Sequence, residues 1–121
     1  MGPDSVGTLD IWQEGMCVVK TVYKLTADWP KNELFGLTGQ IRRAAVSVPA
    51  NVAEGVGRGS PAETARFAQI ALGSIYELDT LIQIGAELGF VEPEPVTTLR
   101  QQLSSLSRRV SNFIQYKKKR K

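Results

Sequence analysis

Ser60-Pro61-Ala62-Glu63-Thr64-Ala65-Arg66-Phe67-Ala68-Gln69-Ile70-Ala71-Leu72-Gly73-Ser74-Ile75-Tyr76-Glu77-Leu78-Asp79-Thr80-Leu81-Ile82-Gln83-Ile84-Gly85-Ala86-Glu87-Leu88-Gly89 is the stretch that decides the fold. It opens as a capping box, Ser60 with Glu63 three residues on, and Pro61 takes the first helical position, where no N–H is needed. Phe67, Ala71, Ser74, Leu78, Leu81, Gly85 and Leu88 then recur at alternating steps of four and three. A 3.5-residue period of that length predicts a long helix with one apolar seam turned toward other helices. Gly89 is the expected C-terminal cap, and Gly57 to Gly59 supply the turn in front.

Upstream, residues 37–57 predict a second helix. At 100° per residue, Ile41, Ala45, Val48 and Val52 fall on one side, and Arg43, Ser47, Asn51, Glu54 and Arg58 form a polar stripe opposite. A third strip, Val46, Ala50, Ala53 and Gly57, is small and apolar, so this helix is expected to be contacted from two directions. Pro49 lies inside it and removes one backbone hydrogen bond, which predicts a bend. In the first segment Trp12, Met16, Val19, Val22 or Tyr23, and Thr26 share a face; Asp10 is the expected N-cap, and Trp29-Pro30 ends the segment. Glu92-Pro93-Glu94-Pro95 starts the last helix with acids in its first turn, where the helix dipole favours them. Val96, Leu99, Leu103, Leu106, Val110 and Phe113 follow on a narrow apolar arc that leaves Arg100, Arg108 and Arg109 outside.

Nothing reads as a strand. Four amphipathic helices with short loops predict an all-α, antiparallel up-down four-helix bundle with left-handed, coiled-coil-like packing. The expected organisation is a disordered or extended stretch at 1–9, a bundle at 10–116 and a basic tail at 117–121. A chain of 121 residues makes one domain with a real core, and 42% hydrophobic with 22% charged residues is an ordinary globular balance.

Composition narrows the chemistry. With no histidine, the chain lacks the commonest general base and zinc ligand, and its one cysteine excludes an internal disulfide. Cys17, beside the apolar face of the first helix, is expected to be buried filler rather than a nucleophile. The glycines of Gly55-Val56-Gly57-Arg58-Gly59 follow no strand and lack the lysine of a phosphate loop. Glu77 and Asp79 do not share a helix face, and no other carboxylate pair suggests acid–base work. The expectation is a protein that is not an enzyme and takes no cofactor or metal. No apolar run is long enough to span a membrane and Met1 to Thr8 do not form a signal peptide, so a reducing cytoplasmic setting is expected.

Charge is unevenly placed. The net charge is +3, yet from Pro95 onward there are eight basic residues and no acid, while residues 1–94 hold seven basic and twelve acidic ones. Such asymmetry points to an anion-binding end. The candidate nucleic-acid contacts are Arg100, Arg108, Arg109, Tyr116, Lys117, Lys118, Lys119, Arg120 and Lys121. Basic residues beside aromatics can hold phosphates and stack bases, but a lysine-rich terminus also simply improves solubility. Arg43, Asn51, Glu54 and Arg58 are expected to form a structural polar network, with Glu54 and Arg58 paired across one turn, in preference to binding a ligand directly.

The run Phe35-Gly36-Leu37-Thr38-Gly39-Gln40-Ile41-Arg42-Arg43-Ala44-Ala45-Val46-Ser47-Val48-Pro49-Ala50-Asn51-Val52-Ala53-Glu54-Gly55 resembles the signature of the bacterial four-helix bundle proteins, also called 23S rRNA intervening-sequence proteins. The likeness continues through Gly57-Arg58-Gly59-Ser60, Ile70-Ala71-Leu72-Gly73-Ser74 and Glu77-Leu78. Gly39, Val48 and Val52 depart from the pattern only conservatively. The resemblance implies an up-down bundle assembling into a ring, typically a pentamer. Some members are encoded inside insertions in large-subunit ribosomal RNA genes, and a distant relative serves diversity-generating retroelements beside a reverse transcriptase. It carries over no catalytic residues. Two hypotheses follow. One is an oligomeric, non-catalytic module that contacts nucleic acid or a nucleoprotein through its basic ends. The other is a protein-binding adaptor or scaffold ring whose tail is only solubilising, with Val46, Ala50, Ala53 and Gly57 as the candidate subunit interface in either case.

Overall fold

The computed structural model describes residues 6–7 and 9–120, and the regular structure within them is helical throughout. Four helices build the fold: α1 (Asp10–Thr26), α2 (Leu37–Gly57), α3 (Pro61–Glu87) and α4 (Pro93–Lys118), with one 3₁₀ turn, Lys31–Glu33, between α1 and α2. Each helix packs on the next, and α4 closes against α1. Only three residues join α2 to α3 and five join α3 to α4, which makes these neighbours antiparallel. The result is the expected four-helix bundle. Lys121 and most of the 1–9 stretch lie outside the described residues.

Local chemistry explains the boundaries. Ser60 Oγ accepts a hydrogen bond from the Glu63 backbone N–H at 3.2 Å, which caps α3 as the sequence predicts. Gly59 (φ 83°) and Gly89 (φ 78°) occupy the left-handed region at the two tight connections, where a side chain would be strained. α2 has no side-chain N-cap. Instead Glu33 Oε1 reaches forward and accepts from the Leu37 N–H at 3.1 Å.

The core runs the length of the bundle. Ile41, Ala45, Val48 and Val52 of α2 are wholly buried, as are Ile75, Leu78 and Ile82 of α3. α4 contributes Val96, Leu99, Leu103, Leu106 and Val110 as expected, but the last core place goes to Ile114, with Phe113 only half-buried beside it.

Several sequence expectations need correction. The buried face of α1 is Ile11, Gly15, Val18, Val22 and Thr26: Val22 and Thr26 are as expected, but Ile11, Gly15 and Val18 stand one residue before the predicted Trp12, Met16 and Val19. Gly15 breaks the hydrophobic pattern, yet it marks the side of closest approach: a Cβ there would lie 3.3 Å from the ring of Pro49 on α2. The predicted stripe is instead a flank, with Met16 and Tyr23 exposed and Trp12 and Val19 half-buried. Cys17 points outward and is exposed, not buried filler. Asp10 is inside the first turn of α1, and Leu9 occupies the cap position without a side-chain bond. Leu88 lies past the end of α3 and is 57% exposed, so the heptad seam ends at Gly85. The basic tail begins inside α4, which continues through Lys118.

Trp29 closes one end of the bundle. It is buried, stands 5.5 Å from Phe90 between ring centroids, and covers Gly85, where an added Cβ would overlap the indole. Gly85→Ala is therefore expected to destabilise the protein by about 1–3 kcal/mol through overpacking, partly offset by the better helix propensity of alanine. Thermal unfolding should show a fall of several degrees, and an unchanged or higher midpoint would mean that the indole is free to move away.

Candidate nucleic-acid interface

The antiparallel order sets the start of α3 beside the end of α4, so residues about fifty apart in sequence come to share one surface. Between them lies an open groove of about 560 Å³. Ala62, Ala65 and Ile70 form its apolar part, and Arg66, Gln69, Lys117, Lys118 and Arg120 stand around it.

The sequence-predicted cations divide into two groups. Arg100 donates from Nε to Asp79 Oδ1 on α3 at 2.8 Å, and this hydrogen bond raises the Arg100 pKa above its already high ordinary value. Arg109 faces α1, with its guanidinium 3.2 Å from Glu14 and 3.5 Å from Asp10. These two arginines tie α4 to its neighbours. Arg108 has only a hydroxyl partner, Ser104 Oγ at 2.9 Å, and stays exposed.

At the tip of α4 the cations gather around an exposed aromatic. Arg120 donates to the Tyr116 hydroxyl at 2.8 Å, and its guanidinium carbon lies 5.5 Å from that ring's centre. Lys117 Nζ is 5.8 Å from the same ring and 5.6 Å from Phe113. Tyr116 is 55% exposed and so is not a core residue. Cations in the last helical turn also sit well with the helix dipole.

The expected polar network separates into two. Asn51 Nδ2 donates to Ser47 Oγ and to the Ser47 carbonyl, each at 2.8 Å, and Ser47 meets Ser74 of α3 at 2.8 Å. Arg58 bonds Glu54 at 3.1 Å and approaches Glu63 at 3.8 Å, while Glu63 takes a 2.8 Å bond from Arg66. Arg58 and Arg66 stack over Phe67, 4.9 and 4.5 Å from the ring centre. The Arg66 hydrogen bond holds the Glu63 carboxyl below its ordinary 4.5 and raises the arginine. The small stabilisation from this exposed pair is present above pH 4.5 and is lost as pH falls through the lower folded value. Arg43 joins neither network among the described contacts and instead lines an open hollow with Tyr23, Gly39 and Arg42. Arg42 turns toward α1, donating to Thr26 Oγ1 at 2.9 Å and lying 4.5 Å over Tyr23.

Of the small strip on α2, Val46 is 43% exposed, Ala50 and Gly57 are exposed, and Ala53 is half-buried. Val46 borders the same hollow as Tyr23, so the strip adjoins the apolar flank of α1. Arg66, Gln69 and Ile70 are the groove residues that sequence reasoning did not single out. Only the topology, with every odd helix starting where an even one ends, could have placed them beside the tail.

The described residues contain no group of three or more metal-binding side chains, and no helix among them is long and apolar enough to cross a membrane. Fold and site together define a small helical bundle with a basic C-terminal end. Residues 7–112 match the 23S rRNA-intervening sequence protein family, and the chain belongs to that family. No curated protein matches it. The family match stops short of Lys117, so the basic tip is described by this chain's own residues.

Proposed function

We propose that the protein is a non-catalytic binding module that assembles with copies of itself and holds RNA, or an RNA–protein partner, through its basic C-terminal ends. The observation that carries this is the basic run Lys117, Lys118, Lys119 and Arg120, in which Lys117 and Arg120 meet aromatic rings and the Tyr116 hydroxyl where Arg100 and Arg109 have carboxylates. The name of its family, which refers to 23S ribosomal RNA, supports RNA as the polymer. Catalysis has no support in the side chains: the sequence has no histidine, and Glu54, Glu63 and Asp79 are each engaged by an arginine. The proposed setting is the cytoplasm.

A single bundle offers few phosphate contacts. Several copies held together would present several basic ends to one polymer, and weak contacts then add through high local concentration. The apolar strip of α2 with Met16 and Tyr23 of α1 is the proposed subunit contact, and the family resemblance suggests a ring of five. The same strip favours the second hypothesis, an adaptor or scaffold ring that binds only proteins.

Two measurements test the proposal. Retention of single- or double-stranded RNA at about 50 mM salt is expected, and no binding to either would leave the adaptor in first place. Ala50→Glu and Ala53→Glu should each weaken assembly at least tenfold, as read by light scattering, with helical content preserved. A monomer at micromolar concentration for the unmodified protein would contradict the assembly half.

A further inference from the structure

We infer that the groove between the start of α3 and the end of α4 seats an unpaired base of a single-stranded nucleic acid, with the adjoining phosphates held by Lys117, Lys118 and Arg120. This rests on the proposed role of the basic end and makes it more specific. A site for duplex alone needs nothing but cations, because a duplex presents its phosphates outward and keeps its base faces stacked. Here the cations surround an apolar surface. Ala62, Ala65 and Ile70 line the groove, and Ile70 is 43% exposed, a large aliphatic side chain left open in a groove that Lys117, Lys118 and Arg120 also line.

The dimensions suit such an occupant. A groove of about 560 Å³ falls within the roughly 300–1,000 Å³ of small-ligand sites, and so has room for a base with its sugar. Unpaired bases can be splayed from the strand and laid on apolar, aromatic or guanidinium surfaces. Gln69 brings an amide, both donor and acceptor, to the edge of the groove, where a base edge would present the complementary groups. Arg66 gives its Nε to Glu63 and sits 4.5 Å from the Phe67 ring centre, so it acts as part of the wall, and the remaining positive charge comes from Lys117, Lys118 and Arg120. Tyr116, exposed beside Lys117 and Arg120, offers a second stacking face for the next base.

The test uses full-length protein and fluorescently labelled strands of equal length: single-stranded RNA, single-stranded DNA and duplex RNA, followed by anisotropy at one salt concentration. Two variants alter the groove without changing charge. Ile70→Asn removes the aliphatic surface, and Ala62→Phe occupies the space; Ile70 and Ala62 are both exposed, so the core is untouched. Circular dichroism and light scattering identical to the parent establish that fold and assembly are retained. Affinity for a single strand should fall about tenfold, the scale of one lost base contact, while duplex affinity changes less than about twofold. The two sugars tell which backbone the groove accepts, and a selective loss on either strand supports the inference. Equal losses on single strand and duplex, or no loss on any strand, would overturn it while leaving the basic-end proposal standing. Absence of binding by the parent protein to all three would overturn both.

Discussion

Leu78→Ala is expected to destabilise the bundle by about 2–5 kcal/mol. Leu78 lies two-thirds of the way along α3, which packs against both α2 and α4, and its side chain is wholly buried. Truncation removes the transfer energy of the lost atoms and leaves a cavity that neighbouring helices can fill only by moving together. Ile75 and Ile82, one turn away on either side, are buried against the same core and limit that movement. Leu88→Ala supplies the control. Both leucines fit the same seven-residue repeat, but Leu88 lies beyond the end of α3 and is 57% exposed. Its replacement should cost no more than about 0.5 kcal/mol. Equilibrium denaturation of the two variants distinguishes the packing described here from a helix rotated on its axis, for which the two costs would be similar.

The largest functional effect is expected on the affinity for RNA. Deleting residues 117–121 and replacing Arg108 with glutamine removes the basic run and Arg108, for whose described members no ion pair with a carboxylate occurs among the described residues. The cut falls after Ile114, the last buried residue among those described, so fold and assembly should persist. Affinity at about 50 mM salt should drop by about a hundredfold or more, since phosphate contacts supply most of such binding. Arg100→Gln and Arg109→Gln should change it by no more than about threefold, because each of those charges is already met by an acid on α3 or α1. Equal losses from both sets of substitutions would mean that net charge alone matters and that the tip of α4 has no particular role.

How far the sequence led depended on how local each signal was. The start of α3 was legible because Ser60, Pro61 and Glu63 cap it within four residues. α2 was legible because Ile41, Val48 and Val52 are large and lie on one face. α1 carries two apolar stripes, and hydrophobicity favoured the one with Trp12, Met16 and Val19. The core took the other, because Gly15 lets the backbone come close to Pro49, and an absent side chain has no weight in a hydrophobic pattern. The candidate site was harder to read for a related reason. The basic run at 117–121 is plain in the sequence, but its companions Ala62, Arg66 and Ile70 belong to another helix. The neutralisation of Arg100 and Arg109 likewise depends on Asp79, Asp10 and Glu14, which reach them only across helix contacts. Period and charge describe one helix at a time, and these pairings require the packing.

The central claim is that several copies pool their basic ends on one RNA strand, and the dependence of affinity on salt tests it most directly. Arg108, Lys118, Lys119 and Arg120, all exposed, and the half-buried Lys117 give five cations at the C-terminal end of each chain among the described residues. Five phosphate contacts correspond to a slope of about −3.5 in log affinity against log salt for a single strand. Between about 50 and 200 mM salt the assembled protein should give a slope steeper than that value, and the assembly-weakened Ala53→Glu variant a shallower one. A slope near zero for the assembled protein, or the same slope for both, would contradict the account.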